Sequence, residues 1–200
     1  MTTMNECWNC GANPQALLFC EACGVIQSPN PVASAFEVLG IEMTLELDES
    51  NLSSVYLQAT RSVHPDFFAM ASEGEKERSL QQSAAMNDAY RKLKSFEGRC
   101  REIVRALGLE GELVSWKPSP DLLMQVLEWN EELDSCSGAD DENMHRIRRE
   151  VEASRGETEL RLRTLSMDSA RCGSEWVKWA GRFQYLARLD ARIEQAEKAK

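Results

Sequence analysis

The chain has 200 residues, of which 42% are hydrophobic and 28% charged, and it carries a formal net charge of −10. This composition predicts a globular protein with one sizeable core or two small ones. No basic block is present, which argues against nucleic acid as a partner, and no apolar run reaches the roughly 18 residues of a membrane span.

The first ten residues, MTTMNECWNC, have neither the basic start nor the apolar core of a secretory signal. We therefore expect an intracellular protein. Its location would be the cytoplasm of a bacterium, or the mitochondrial matrix if the chain is a processed eukaryotic form.

Four of the seven cysteines fall in two CxxCG sequences, CWNCG at residues 7–11 and CEACG at residues 20–24. Two cysteines three positions apart on a tight turn direct both sulfur atoms at one point, and the following glycine allows the turn. Cys7, Cys10, Cys20 and Cys23 are therefore predicted to hold one structural Zn²⁺. Rubredoxin-like iron and a pair of disulfides are the alternatives, and a reducing compartment disfavours the disulfides. A linker follows at residues 24–35, with a boundary near residue 30.

The next segment predicts a short helix that ends at Gly40, and a longer helix with Asp48 as its N-cap. The longer helix has one apolar face, formed by Leu52, Val55, Tyr56, Ala59 and Val63. Pro65 stops this helix and places a His-Pro-Asp triplet on a loop of roughly residues 64–72. A second long helix is expected after residue 79, packed antiparallel on the first through Met86, Ala89, Tyr90 and Leu93. A further helix is expected at about 96–107.

Taken alone, the triplet His64, Pro65 and Asp66 has an ordinary explanation as a helix stop with incidental polar neighbours. A catalytic role is weakly supported, because the two titratable side chains flank a proline and no nucleophile stands beside them.

The order of these elements, with VHPDFF at residues 63–68 and NDAY at 87–90, resembles the J-domain of co-chaperones, and most closely the HscB family of iron–sulfur co-chaperones. Eukaryotic members of that family also carry the two amino-terminal CxxC knuckles. The resemblance implies that the loop docks on an ATP-bound chaperone of the DnaK/HscA class and promotes hydrolysis there. The implied chaperone-binding residues are His64, Pro65, Asp66, Arg61, Asn87, Asp88, Arg91 and Lys92. One departure from J-domains is the sparse basic face, since Arg61 is the only positive residue between Leu52 and Val63.

In the last segment, Ser119 and Pro120 form a strong start signal for a helix with two apolar faces. One stripe comprises Leu122, Val126, Trp129 and Leu133, and a second group comprises Leu123, Met124 and Leu127. Burial of both faces in a central helix is one interpretation, and a binding patch rimmed by carboxylates is the other. The HscB resemblance favours the patch, and it implies that an IscU-type scaffold protein binds to Leu123, Met124, Leu127, Glu128, Glu131 and, with weaker spacing, Tyr185.

Two more helices are expected, at about residues 140–165 and 174–197, and they complete an antiparallel bundle. Arg146, Arg148 and Arg149 alternate with glutamates and are predicted to form a solvated face.

The predicted protein is all-α: a zinc-knuckle module at residues 1–30, a J-domain at 31–110 and a three-helix scaffold-binding domain at 111–200. It would be a co-chaperone and not an enzyme. Alternatives are a J-domain protein for general folding and a cysteine-based metal or redox enzyme. Whether the chain is a monomer or a weak homodimer stays open.

Overall fold

The computed structural model describes residues 6–14, 18–136, 141–165, 167 and 169–198. The chain divides into two compact units, Met1–Ala106 and Leu107–Lys200, called here the amino-terminal and carboxy-terminal units. Within the described ranges the regular structure is helical, and the only β pairing is one bridge between Phe19 and Ile26. The predicted all-α class is therefore confirmed. None of the described helices is both long enough and apolar enough to cross a membrane.

Helix α1, Ala35–Leu39, is the predicted short helix. It ends at Gly40, whose φ of 64° is in the left-handed region that glycine adopts without strain. At its start, the Ser34 hydroxyl accepts a hydrogen bond from the Glu37 N–H, and the Glu37 carboxylate accepts one from the Ser34 N–H. This reciprocal cap explains why so short a segment is helical.

Helices α2, Glu49–Val63, and α3, Glu73–Lys94, form an antiparallel hairpin. Asp48 caps α2 as predicted, and α2 ends at Val63, directly before the triplet. Midway along α2, Tyr56 stacks on Tyr90 of α3 with ring centroids 4.3 Å apart.

The predicted start of α3 after residue 79 was wrong. The helix begins at Glu73, because the Ser72 hydroxyl and the Glu75 carboxylate form a capping box. Residues 64–72 therefore contain more structure than a plain loop: Pro65–Phe68 form one 3-10 turn, and α3 follows within five residues.

Helix α4, Phe96–Ala106, completes the amino-terminal unit. Its Glu102 is 5% exposed and accepts a hydrogen bond from the backbone N–H of Ala35 at 2.7 Å. The same carboxylate lies 3.4 Å from the Lys92 ammonium on α3. One buried carboxylate thus joins three helices, and its pairing offsets the cost of burying it.

The carboxy-terminal unit contains α5, Glu110–Ser115; α6, Pro120–Ser135; α7, Glu142–Arg163; and α8, Ser169–Lys198. Helix α5 was not predicted, and α8 begins five residues earlier than expected. The predicted starts and ends around Ser137, Gly138 and Asp140 lie outside the described residues. The buried core contains the predicted stripe of α6, Leu122, Val126, Trp129 and Leu133. It is completed by Met144, Ile147 and Val151 from α7 and by Leu186, Leu189 and Ile193 from α8.

Trp116, just after α5, lies flat against α8 at Gly181. A Cβ atom built on Gly181 would stand 2.3 Å from the indole Cδ2 of Trp116, so only glycine permits this approach.

Arg149 is exposed on α7, as predicted for a solvated face, but Arg146 and Arg148 are partly covered by contacts with other helices. Arg146 pairs with Glu132 on α6 as well as with Glu150 on its own helix, and Arg148 pairs with Glu197 on α8. These ion pairs join neighbouring helices of the bundle.

Candidate functional sites

The His-Pro-Asp triplet stands at the tip of the α2–α3 hairpin. Pro65 begins the 3-10 turn, and the backbone N–H of Asp66 donates to Nδ1 of His64 at 3.3 Å. The Phe67 N–H donates to the His64 carbonyl at 3.0 Å. The side chains of His64 and Asp66 are 54% and 87% exposed, so the carboxylate projects into solvent from a turn that the proline and the histidine hold in shape.

Two apolar side chains beside the triplet were not predicted as site residues. Phe67 is 76% exposed and Met70 is 98% exposed, although both are large and hydrophobic. The Phe67 ring lies edge-on to the His64 imidazole, with centroids 6.4 Å apart. The doubled phenylalanine after the triplet was the available signal, since a plain helix stop does not need it.

Two residues of the NDAY motif, Asn87 and Tyr90, have side-chain contacts across the hairpin. The Tyr56 hydroxyl donates to the Asn87 side-chain carbonyl at 2.5 Å, and the hydroxyls of Ser53 and Tyr90 lie 3.1 Å apart. These bonds join α2 to α3.

The charged residues that follow are paired with one another. Asp88 contacts the Arg91 guanidinium at 2.5 Å and the Lys92 ammonium at 2.9 Å. The hydrogen bond from Lys92 lowers the pKa of Asp88, and the same bond raises the pKa of Lys92. With Glu102, this group has two positive and two negative members, so its net charge is close to zero. Arg61 lies exposed on α2.

The two apolar faces of α6 differ in their exposure to solvent. The stripe that contains Leu122 and Trp129 is buried, whereas Leu123, Met124 and Leu127 are 41%, 62% and 52% exposed. Glu128 and Glu131 are exposed beside them. The interpretation that both faces are buried is therefore wrong. These three apolar and two acidic side chains are called here the α6 patch.

A shallow groove borders the α6 patch and includes Met124, Glu128, Gln125 and, from α8, Arg182. Arg182 donates to the hydroxyls of Thr158 and Ser154 on α7. Tyr185 is half-buried and packs edge-on against Trp116, with ring centroids 6.2 Å apart. Its predicted place beside the patch stays a prediction.

The four cysteines of the amino-terminal cluster converge as predicted. All four Sγ atoms lie within 4.8 Å of one another, with Cys7 to Cys23 at 3.6 Å and Cys10 to Cys20 at 3.8 Å. These separations are far beyond the roughly 2.05 Å of a disulfide bond. They match the spacing of about 3.8 Å between sulfurs that each stand about 2.3 Å from a tetrahedral Zn²⁺.

The two knuckles have the same backbone geometry. The Gly11 N–H donates to the Cys7 carbonyl at 2.9 Å, and the Gly24 N–H donates to the Cys20 carbonyl at 2.7 Å. Both glycines have φ near 70°, at 71° and 72°, which explains the glycine after each CxxC.

Backbone donors point at the cluster. Burial by itself raises the pKa of Cys7, but hydrogen bonds from the N–H groups of Cys10 and Asn9 outweigh it and lower that pKa to about 6. At Cys10, a hydrogen bond from Ala12 lowers the pKa, yet the neighbouring sulfurs, Cys23 foremost, raise it to about 12. Four sulfurs this close cannot all be thiolates without a cation between them. The donor set therefore fits a metal ion.

These features define a class: an all-α protein in which a helical hairpin with an exposed turn at His64–Phe68, called here the HPD turn, precedes a helical bundle with an exposed apolar patch. A family model described as the HSCB C-terminal oligomerisation domain matches residues 118–194. The chain is 30% identical over 168 residues to the "Co-chaperone protein HscB homolog" of Shewanella loihica. This match covers 82% of this chain and 97% of the Shewanella protein. The chain belongs to the HscB family.

A mouse relative, the "Iron-sulfur cluster co-chaperone protein HscB", is 33% identical over 133 residues, or 64% of this chain. The match spans 57% of the length of that mouse protein. The crystal structure of human co-chaperone protein HscB superposes with a TM-score of 0.78 at 25% identity and covers 96% of this chain and 98% of the human one.

Proposed function

We propose that this chain is a co-chaperone of iron–sulfur cluster assembly with two docking surfaces. The HPD turn would engage an ATP-bound chaperone of the DnaK/HscA class and stimulate its ATPase, and the α6 patch would hold an IscU-type scaffold protein. The observation that carries the proposal is the exposed Asp66 on a preformed turn. The names of the relatives support it, since they are co-chaperones and the mouse relative is an iron–sulfur cluster co-chaperone.

The loop is suited to docking and has little that suits catalysis. A carboxylate that is 87% exposed can form a charge-assisted, bidentate pair with an arginine of the partner. Because Pro65 and the bond from Asp66 to His64 already fix the turn, little conformational entropy is lost when it binds. The hydrolysis would take place in the chaperone.

Electrostatic steering makes a small contribution in this proposal. Arg91 and Lys92 are both paired to Asp88, and Arg61 is the one basic residue on the facing stretch of α2. We therefore expect the rate of association with the chaperone to depend only weakly on ionic strength.

The α6 patch supplies the second surface. Its three apolar side chains are exposed, whereas the four apolar side chains of the other stripe of α6 are buried. Exposed apolar surface on α6 is therefore confined to the face that carries the patch. Apolar anchors next to carboxylates fit a scaffold surface that is apolar at its centre and basic at its edge. Binding both partners on one chain would raise the effective concentration of client at the chaperone.

One Zn²⁺ at Cys7, Cys10, Cys20 and Cys23 would stabilise the amino-terminal knuckles. Four thiolates complete a tetrahedral shell and leave no position for water or substrate, which favours a structural ion. Elemental analysis of protein purified without added metal should find one zinc per chain. Iron with visible absorption, in place of zinc, would instead support the metal or redox alternative.

The test of chaperone docking compares Asp66→Asn with Glu42→Gln, an exposed carboxylate elsewhere in the amino-terminal unit. Stimulation of the chaperone ATPase should be lost in Asp66→Asn and retained in Glu42→Gln, and both variants should bind scaffold like the wild type. Full stimulation by Asp66→Asn would contradict the docking role of the turn.

A further inference from the structure

Helix α3 buries a row of polar side chains that the docking function does not by itself require. Ser79 is fully buried, Gln82 is 2% exposed, and Ser83 is half-buried next to them. Positions 79, 82 and 83 share one face of the helix. Buried polar groups are costly unless they are hydrogen-bonded, so their partners reveal what this face holds.

Two of the three hold the base of the HPD turn. The hydroxyl of Ser79 donates to the Val63 carbonyl at 2.7 Å, and that of Ser83 donates to the same carbonyl at 3.3 Å. Val63 is the last residue of α2, where carbonyl groups lack helical N–H partners. Because the chain leaves helical geometry at His64, no helical N–H reaches the Val63 carbonyl. The two serines on α3 supply the missing donors and fix the point from which the turn departs.

The third side chain holds the metal knuckles. The Gln82 amide donates to the Gln27 carbonyl at 3.0 Å, and the Gln27 amide donates in turn to the Cys7 sulfur at 3.4 Å. Gln27 is 8% exposed and Ile26 is fully buried, so this segment is packed against the hairpin. A hydrogen bond to a ligand sulfur orients the ligand and tunes its affinity for metal.

A second contact fastens the same knuckle to α3. The Trp8 indole donates to the Ile26 carbonyl at 2.8 Å, and the Arg78 guanidinium lies over the Trp8 ring at 4.1 Å from its centroid. A Cβ on Gly74 would stand 3.0 Å from that ring. The knuckle therefore contacts the first turns of α3 directly after the HPD turn.

We propose that Ser79 and Gln82 are positioning residues that couple metal occupancy of the four-cysteine site to the order of the HPD turn. With metal bound, the knuckles hold Gln27 against Gln82 and so hold the face of α3 that anchors Val63. Without metal, this anchor loosens and the turn loses its preformed shape. The inference rests on the proposed function, in that the site holds a metal and the turn docks on the chaperone.

The test measures amide hydrogen exchange in the full chain by NMR, with metal bound and after removal by a chelator. The N–H groups of Phe67 and Ala69 report on the turn, because both donate within it. Metal removal should speed their exchange on the order of fivefold, the factor that corresponds to one net hydrogen bond. Amides of α7 in the carboxy-terminal unit should be unchanged. Exchange at Phe67 and Ala69 that does not depend on metal would overturn the proposal.

A second variant keeps all four cysteines. Gln82→Ala should speed exchange at the turn in zinc-loaded protein and, because coupling is reciprocal, weaken zinc affinity by a similar factor. Gln81→Ala is the matched control, since the neighbouring Gln81 is exposed and bonds only to Glu77 among the contacts described. Wild-type exchange and wild-type zinc affinity in Gln82→Ala would refute the coupling.

The exchange measurement needs no chaperone, so the two proposals fail separately. Metal-dependent exchange in a chain that does not stimulate any DnaK-class ATPase would leave the coupling intact and refute the docking function. A chain that stimulates the chaperone ATPase but whose amide exchange does not depend on metal would leave the docking function intact and refute the coupling.

Discussion

The α6 patch allows the docking of a scaffold to be tested with little disturbance of the fold. Leu123, Met124 and Leu127 are each about half exposed, so their replacement by alanine leaves the buried stripe of α6 intact. Each side chain offers roughly 60–90 Å² of apolar surface to a partner, or about 1.5–2 kcal/mol at about 25 cal/mol per Å². Because such losses are not additive, the triple variant should lose about 3–5 kcal/mol, a factor of roughly 10² to 5 × 10³ in Kd.

The assay is isothermal titration of an IscU-type scaffold into the wild type and the triple variant. Leu160→Ala and Val114→Ala are the matched controls, since these side chains are 64% and 86% exposed on other helices of the same unit. Circular dichroism should show unchanged helix content in all three. An unchanged Kd for the folded triple variant, or an equal loss in the controls, would refute the assignment of the patch.

Two further predictions concern the stability of the carboxy-terminal unit. Gly181→Ala places a Cβ against Trp116 and should lower the free energy of unfolding by about 2–3 kcal/mol in urea titration. Gly156→Ala, where a Cβ meets nothing within 4 Å, should instead stabilise by about 0.5–1 kcal/mol, and equal effects would contradict the close approach. The hydrogen bond from Trp129 is the main cause that lowers the pKa of Glu150 below its ordinary value of 4.5. The stability that the ionised Glu150 carboxylate contributes is therefore present above pH 4.5 and lost as the solution becomes more acidic. Glu150→Gln should thus lower the free energy of unfolding by less than about 1 kcal/mol at neutral pH, and by nothing in acid. A deficit that persists at low pH would contradict this.

The sequence predicted the start or end of a helix correctly where one local signal determines that position. Ser119 and Pro120 marked the start of α6, and Gly40 marked the end of α1, as the structure confirms. The start of α3 was missed because Gly74 and its acidic neighbours resemble a loop, although Ser72 and Glu75 form a capping box. Helix α5 has six residues and no side-chain cap, so its helicity depends on packing that the sequence does not show.

The features that could not be predicted from the sequence depend on contacts between residues that are far apart in the chain. The spacing of apolar residues in α6 separated two faces, but only the structure shows which face is covered. The motif NDAY indicated a family, yet the bond between Asn87 and Tyr56 joins residues 31 positions apart and cannot be read from either helix alone. The link from Gln82 to Gln27, over 55 positions, is of the same kind.

The central claim is that one chain engages chaperone and scaffold together, and the steady-state ATPase rate of a DnaK/HscA-class chaperone tests it most directly. The wild-type chain should raise the rate, and added IscU-type scaffold should raise it further. The triple alanine variant of the α6 patch should keep the first increment and lose the second, and Asp66→Asn should lose both. A wild-type chain that leaves the rate unchanged with and without scaffold would contradict the account.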